Sequence, residues 1–196
     1  MILAFHSIFS AYGFWLPNDP RGSWSEFVRR WELLRFGPPT TTGLRRSVAR
    51  AEHDISARLA AKKVLRHPPV AFTGRQALAV GQGFAQACQE AAFVIHACSI
   101  LPEHVHLVVA RHERRIEQVV AHLKSRATKH LTAEGLHPFA EEPQEDGTLA
   151  TPWGRNGWNM YLNTPTDIRR AIRYVRENPP KEGKPEQTWS FVREYE

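Results

Sequence analysis

The sequence predicts an α+β fold, an antiparallel sheet with helices packed on one face, and three observations carry that reading. The apolar pattern changes period along the chain, from helical spacing before residue 90 to β-rich runs after it, then back again. The runs "AFVIHACSI" and "HVHLVVA" are separated by "LPE", whose Pro102 suits a turn, so the pair reads as a hairpin. The resulting order of strand, helices, two strands, helix, strand, helix suits a layered domain. With 196 residues, 42% of them hydrophobic, the chain is long enough for one substantial core and is read as one domain over residues 1–196.

The elements follow in order. "ILAFHSIFS" is a short apolar strand. "YGFWLPNDPRGSWS" is dense in turn-forming residues, with Trp15 and Trp24 embedded, and reads as an ordered loop. Residues 25–36 fit a short helix ended by "GPPTTTG", and from Leu44 a second stripe runs through Val48, Ala51, Ile55 and Leu59 until "HPPV" stops it. Residues 13–70 therefore form an N-terminal elaboration after the first strand. A helix over 74–90 carries Ala77, Val80, Phe84 and Cys88 on one stripe, and the hairpin follows. Residues 115–133 return to helical spacing through Ile116, Val119, Val120, Leu123 and Leu131. After the loop "EEPQEDG", "GWNMYL" reads as a strand. "TPTDIRRAIRYVREN" reads as a helix with Thr164 as N-cap, Pro165 at its first position and Asp167 three residues past the cap.

Composition narrows the partners. Twenty-six Lys and Arg against 20 Asp and Glu give a formal charge of +6, which favours an anionic partner, nucleic acid first. No stretch approaches the roughly 18 to 20 apolar residues of a membrane span, and the N-terminal segment lacks the pattern of a secretory signal, so a cytoplasmic protein without membrane contact is expected. Cys88 and Cys98 cannot build a disulfide framework and read as buried thiols in a reducing compartment.

Two local patterns bear on chemistry. In a strand over "HVHLVVA", His104, His106 and Val108 share one face, with the two imidazoles about 7 Å apart at Cβ, while Val105, Leu107 and Val109 share the other. Two such rings can converge on one cation or simply face solvent; a third ligand would have to come from elsewhere. On the last helix, with Ile168 at 0° and about 100° per residue, Ile172 and Val175 define the buried stripe, and Tyr174 and Asn178 lie together on one flank, one turn apart. Asn178 precedes Pro179, where the helix should end. Its amide oxygen is a reasonable ligand for a hard cation.

The combination of "LPEHVHLVV", "HLKSRATKHL", "AIRYVRENPP" and a later "TWSF", in that order over about residues 90–192, resembles the HUH single-tyrosine transposases, and within them the REP-associated tyrosine transposases. The resemblance implies a ferredoxin-like sheet carrying the histidine pair on a central strand, with the tyrosine helix laid against it. It implies that His104, His106 and Asn178 hold Mg²⁺ or Mn²⁺ and that Tyr174 is the nucleophile. Tyr161, in the strand just before the helix, is the one serious rival. The implied activity is cleavage and rejoining of single-stranded DNA at hairpin-containing ends through a 5′-phosphotyrosine, by a monomer or homodimer. Arg111, Arg114, Arg115, Lys124, Arg126 and Lys129 after the histidine strand, and Arg170 one turn before Tyr174, suit contacts to DNA phosphates. Trp15, Trp24, Trp153 and Trp158 are candidates for base stacking or for anchoring loops and core. A domesticated protein that binds hairpin DNA without cutting it is the alternative.

Overall fold

The computed structural model describes residues 1–23, 25–42 and 51–196. They form two compact units, one of residues 1–11 and 70–196, the other of residues 12–69. The helical stripe expected from Leu44 lies partly, and Trp24 wholly, outside the described residues.

The larger unit is a four-stranded antiparallel sheet built from β1 (Ala4–Ala11), β2 (Ile95–Ile100), β3 (His104–Ala110) and β4 (Trp153–Leu162) in the order β2-β3-β1-β4. With α3 (Gly74–Ala91) after β1 and α4 (Ile116–Ala133) after β3, this is the ferredoxin-like arrangement. Thr73 starts α3 through a capping box with Gln76. α3 and α4 pack closely because Gly83 has no side chain: a Cβ there would stand 2.5 Å from the Ala127 Cα. They cover the face that carries Phe9, Val105 and Leu107, where Phe9 meets the rings of Phe84 and Trp153.

The final helix, α5 (Pro165–Lys181), covers the opposite face. Thr164 caps it by accepting from the Asp167 N–H, and Pro165 opens it, as the sequence indicates. Ile168, Ala171, Ile172 and Val175 pack on Ala4, Ala97, Val108 and Leu162. Each fully buried branched side chain contributes roughly 1.5–3 kcal/mol, which fixes both the seat and the rotation of the helix. The sheet is thus covered on both sides: by two helices on the Val105 face and by one on the face with the histidines.

Several boundaries differ from the sequence reading. α5 does not stop at Asn178 but runs on through Pro179 and Pro180 to Lys181. The two prolines forfeit their donors to the preceding turn, yet their φ is already helical, and the Glu182 N–H again reaches the Asn178 carbonyl. β4 begins at Trp153, four residues before "GWNMYL", because pairing with β1 overrides the weak strand propensity of its glycines.

Past α5 the chain turns back along β2, the edge strand. The Gln187 side chain accepts from the Ile100 N–H and donates to the Ile100 carbonyl, each at 2.8 Å, and the Arg193 N–H donates to the Ile95 carbonyl. Trp189 lies over Gly81 of α3, where even a Cβ would collide with the indole.

In the smaller unit, the helix read over 25–36 shrinks to one turn, α1 (Trp31–Leu34), and α2 (Ile55–Lys63) starts behind the Asp54 cap, so Ala51 precedes it. The loop "WLPNDPRGS" is ordered by its own contacts. Arg21 forks onto Asp19 with two 2.8 Å bonds and lies 3.8 Å over the Trp15 ring, while the Trp15 Nε1–H donates to the Gly22 carbonyl. Leu16, Leu33 and Ala61 form a small core beneath it.

Candidate functional site

Strand register assembles three histidines on the face under α5. β3 supplies His104 and His106, as its alternation requires, and β1 adds His6, which shares their face because it pairs with Val108 while Ile8 pairs with His106. The His104 and His106 ring centroids are 4.9 Å apart, and His6 stacks on His106 at 5.4 Å with its Nε2 3.2 Å from the His106 Nδ1. Directly across from His106, β2 places the fully buried Ser99, whose Oγ has no hydrogen-bond partner among the described residues. Burial penalises the imidazolium form throughout. His6 and His104 are each pulled down to about 4, and His106 falls well below the usual histidine range, first through burial and then through its two histidine neighbours. All three rings are therefore neutral at pH 7, the form in which imidazole donates a lone pair.

α5 lays one flank across this cluster. The Tyr174 ring sits 5.6 Å from His6 and 5.7 Å from His106, and 42% of the residue remains exposed. Two turns on, the Glu182 Oε1 is 3.7 Å from the His104 Nε2, and burial raises the Glu182 carboxyl above its usual range. Asn178 lies between them on the same flank. The helical wheel leaves it outside the buried stripe, but it is only 8% exposed and its Nδ2 has no hydrogen-bond partner among the described residues. Neutral imidazole nitrogens together with the amide oxygen of buried Asn178 are the atom types that could hold a divalent cation of borderline hardness. Among the described residues, no group of three or more His, Cys, Asp or Glu side chains is arranged to do so by itself.

Tyr161, the rival tyrosine, pairs with Phe5, whose side chain points to the opposite face, and meets its ring edge-on at 5.7 Å. It is 60% exposed and away from the histidines. Of the tryptophans, Trp153 is a core anchor whose Nε1–H donates to the Lys124 carbonyl and the Thr128 hydroxyl, while Trp158 stands beside His6 at 6.4 Å on the histidine face.

The basic residues divide by face. Arg170 is exposed on α5, one turn before Tyr174. Arg111 is exposed just past β3. Arg115 is the N-cap of α4, and Arg114 lies beside His122 and over Phe93. Arg126 pairs with Glu90 at 2.7 Å, and Lys129 is exposed. Lys124 turns inward to donate to the Gly154 carbonyl at 2.9 Å above the Phe9 ring, and burial lowers its pKa to about 8. The α4 residues thus belong to the helix layer behind the sheet, and of the seven basic residues named from the sequence Arg170 alone stands on α5, beside the further exposed Arg169, Arg173 and Arg176 of that helix.

His6 is the residue that sequence reasoning misses. A lone histidine in "AFHSIFS" is visible as a polar break in an apolar strand, but only the β1–β3 register aligns it with His106.

No family model and no curated protein matches the chain. Some solved structures match the chain. One is a REP-associated tyrosine transposase bound to a REP hairpin, with a TM-score of 0.48, 15% identity, and coverage of 96% of this chain and 74% of that one. Another is a provisionally assigned transposase from Deinococcus radiodurans R1, with a TM-score of 0.42, 13% identity, and coverage of 91% of each chain. Among the described residues, no helix is long and apolar enough to cross a membrane.

Proposed function

We propose that this protein is a metal-dependent single-tyrosine transposase that cleaves and rejoins single-stranded DNA at hairpin-containing ends. The observation that carries the reading is the position of Tyr174, half exposed and edge-on to two buried neutral histidines, one of them from the H-x-H pair. The ordered motifs "HVH" and "YVRENP" lend it the resemblance to HUH transposases described above.

In the reaction, the Tyr174 Oη attacks a backbone phosphorus. The P–O3′ bond breaks, a 5′-phosphotyrosine forms, and the phenolic proton is balanced by the proton gained at the departing 3′-OH. Retention of the phosphoester lets a 3′-OH of another strand reverse the step, which transfers the strand without an external energy source. His104, His106 and the Asn178 amide would hold Mg²⁺ or Mn²⁺, which when bound supplies charge neutralisation at the phosphate and at the leaving oxygen. Seated on its apolar stripe, α5 keeps Tyr174 over the histidines, and exposed Arg170 can contact a phosphate along the same helix. The half-exposed phenol suits a flexible single strand that must bring its backbone to the ring.

Labelled hairpin-bearing single-stranded DNA incubated with the protein and Mn²⁺ should give a denaturation-resistant adduct that disappears in Tyr174→Phe and persists in Tyr161→Phe. Tight hairpin binding with no adduct from the unaltered protein would instead identify a non-cleaving binding protein.

A further inference from the structure

We infer that His6 is a positioning residue that fixes which nitrogen of His106 faces the cation; the inference rests on the reading of His106 as a ligand. The geometry leaves His106 one free choice. Its Nδ1 is 3.2 Å from the His6 Nε2, with the two rings 29° from parallel, so Nε2 is the nitrogen left to bind a metal. For Nε2 to offer its lone pair, the single proton of the neutral ring must sit on Nδ1 and be donated to the His6 Nε2. His6 must then accept there and carry its own proton on Nδ1. One hydrogen bond thus sets the tautomers of two rings.

The surroundings keep that bond from being exchanged for water. His6 is 4% exposed, enclosed by the His106, Trp158 and Tyr174 rings. It also comes from a different strand than the ligands, so the paired backbones of β1 and β3 hold its position. Ligating histidines that donate their second N–H to such a partner typically lose about 10–100-fold in metal affinity when the partner is removed.

The test is Mn²⁺ titration of the DNA-free protein, with circular dichroism as the check on folding. His6→Phe keeps a ring of similar shape but no acceptor, and should weaken Mn²⁺ binding about 10–100-fold; His6→Gln, whose amide oxygen reaches the same place, should restore most of the loss. Unchanged affinity in His6→Phe, where His106→Ala abolishes binding, overturns the inference alone. If His104→Ala and His106→Ala also leave Mn²⁺ binding intact, the ligand reading fails and takes the inference with it. Electron-nuclear double resonance supplies a second discriminator: the number of imidazoles coupled to Mn²⁺ should be the same with and without His6, and a drop on His6→Phe would make His6 a ligand instead. Should His6→Phe fail to fold, long-range ¹H–¹⁵N spectra of the unaltered metal-free protein decide the matter, because a His106 protonated at Nε2 contradicts the proposed tautomer.

Discussion

Tyr174 meets His106 edge to face, with centroids 5.7 Å apart and planes 65° apart, although 68 residues of chain, 107–174, lead from one to the other. Their meeting depends on α5 lying on the histidine face of the sheet, and its apolar stripe on Val108 puts it there.

That seat can be weakened without altering Tyr174 or the histidines. Ile168→Ala removes a side chain that is 1% exposed from the contact of α5 with the sheet. It should cost about 2–5 kcal/mol in urea unfolding, as other large-to-small core substitutions do. By contrast, Tyr174→Phe deletes one hydroxyl from a half-exposed ring and should shift stability by less than about 0.5 kcal/mol while removing the DNA adduct.

The division of basic residues by face predicts a division in salt dependence. If DNA lies along α5, Arg170→Ala should flatten the plot of log affinity against log salt by about 0.7, the value for one single-strand phosphate contact. Arg126→Ala and Lys124→Met, on the layer behind the sheet, should leave the slope unchanged.

Lys124 should also leave a mark on stability against pH. Its folded pKa, about 8, lies below the unfolded value of 10.5 because burial disfavours the ammonium. Between those limits the unfolded chain binds more protons, so this group makes stability rise with pH from about 8 to about 10.5. Below pH 8 its desolvation cost is fully present. Denaturant midpoints measured across that window should show a steeper rise for the unaltered protein than for Lys124→Met.

The thiols should be inert. Burial pushes Cys88 up to about 11 and Cys98 well above the usual thiol range, so neither is a thiolate at neutral pH. A chromogenic disulfide reagent should label Cys98 only slowly in the native protein and rapidly once denaturant is added.

The chemistry that was legible in the sequence was local. Strand alternation put His104 and His106 on one face, and the helical wheel put Tyr174 and Asn178 on one flank; neither inference needed a partner element. The features that escaped depend on pairing across long separations. His6 joins the histidine pair through the β1–β3 register, and Asn178 is buried although it lies outside the stripe its own helix defines. Lys124 is close in sequence to the histidine strand, but α4 lies behind the sheet and turns its ammonium inward. The α+β class was readable from changes of period, whereas the single-turn α1 and the early start of β4 reflect tertiary contacts that outweigh propensity.

The return of the chain along β2 gives the sheet two unlike margins. At one, the Gln187 amide imitates a neighbouring strand by occupying both the donor and the acceptor of Ile100, so a foreign strand meets no free pairing site at that residue. A single uncharged side chain thereby acts as a guard against intermolecular β-sheet growth. Its loss would leave the contacts of Tyr174 with His6 and His106 untouched while lowering the concentration at which the protein stays dispersed.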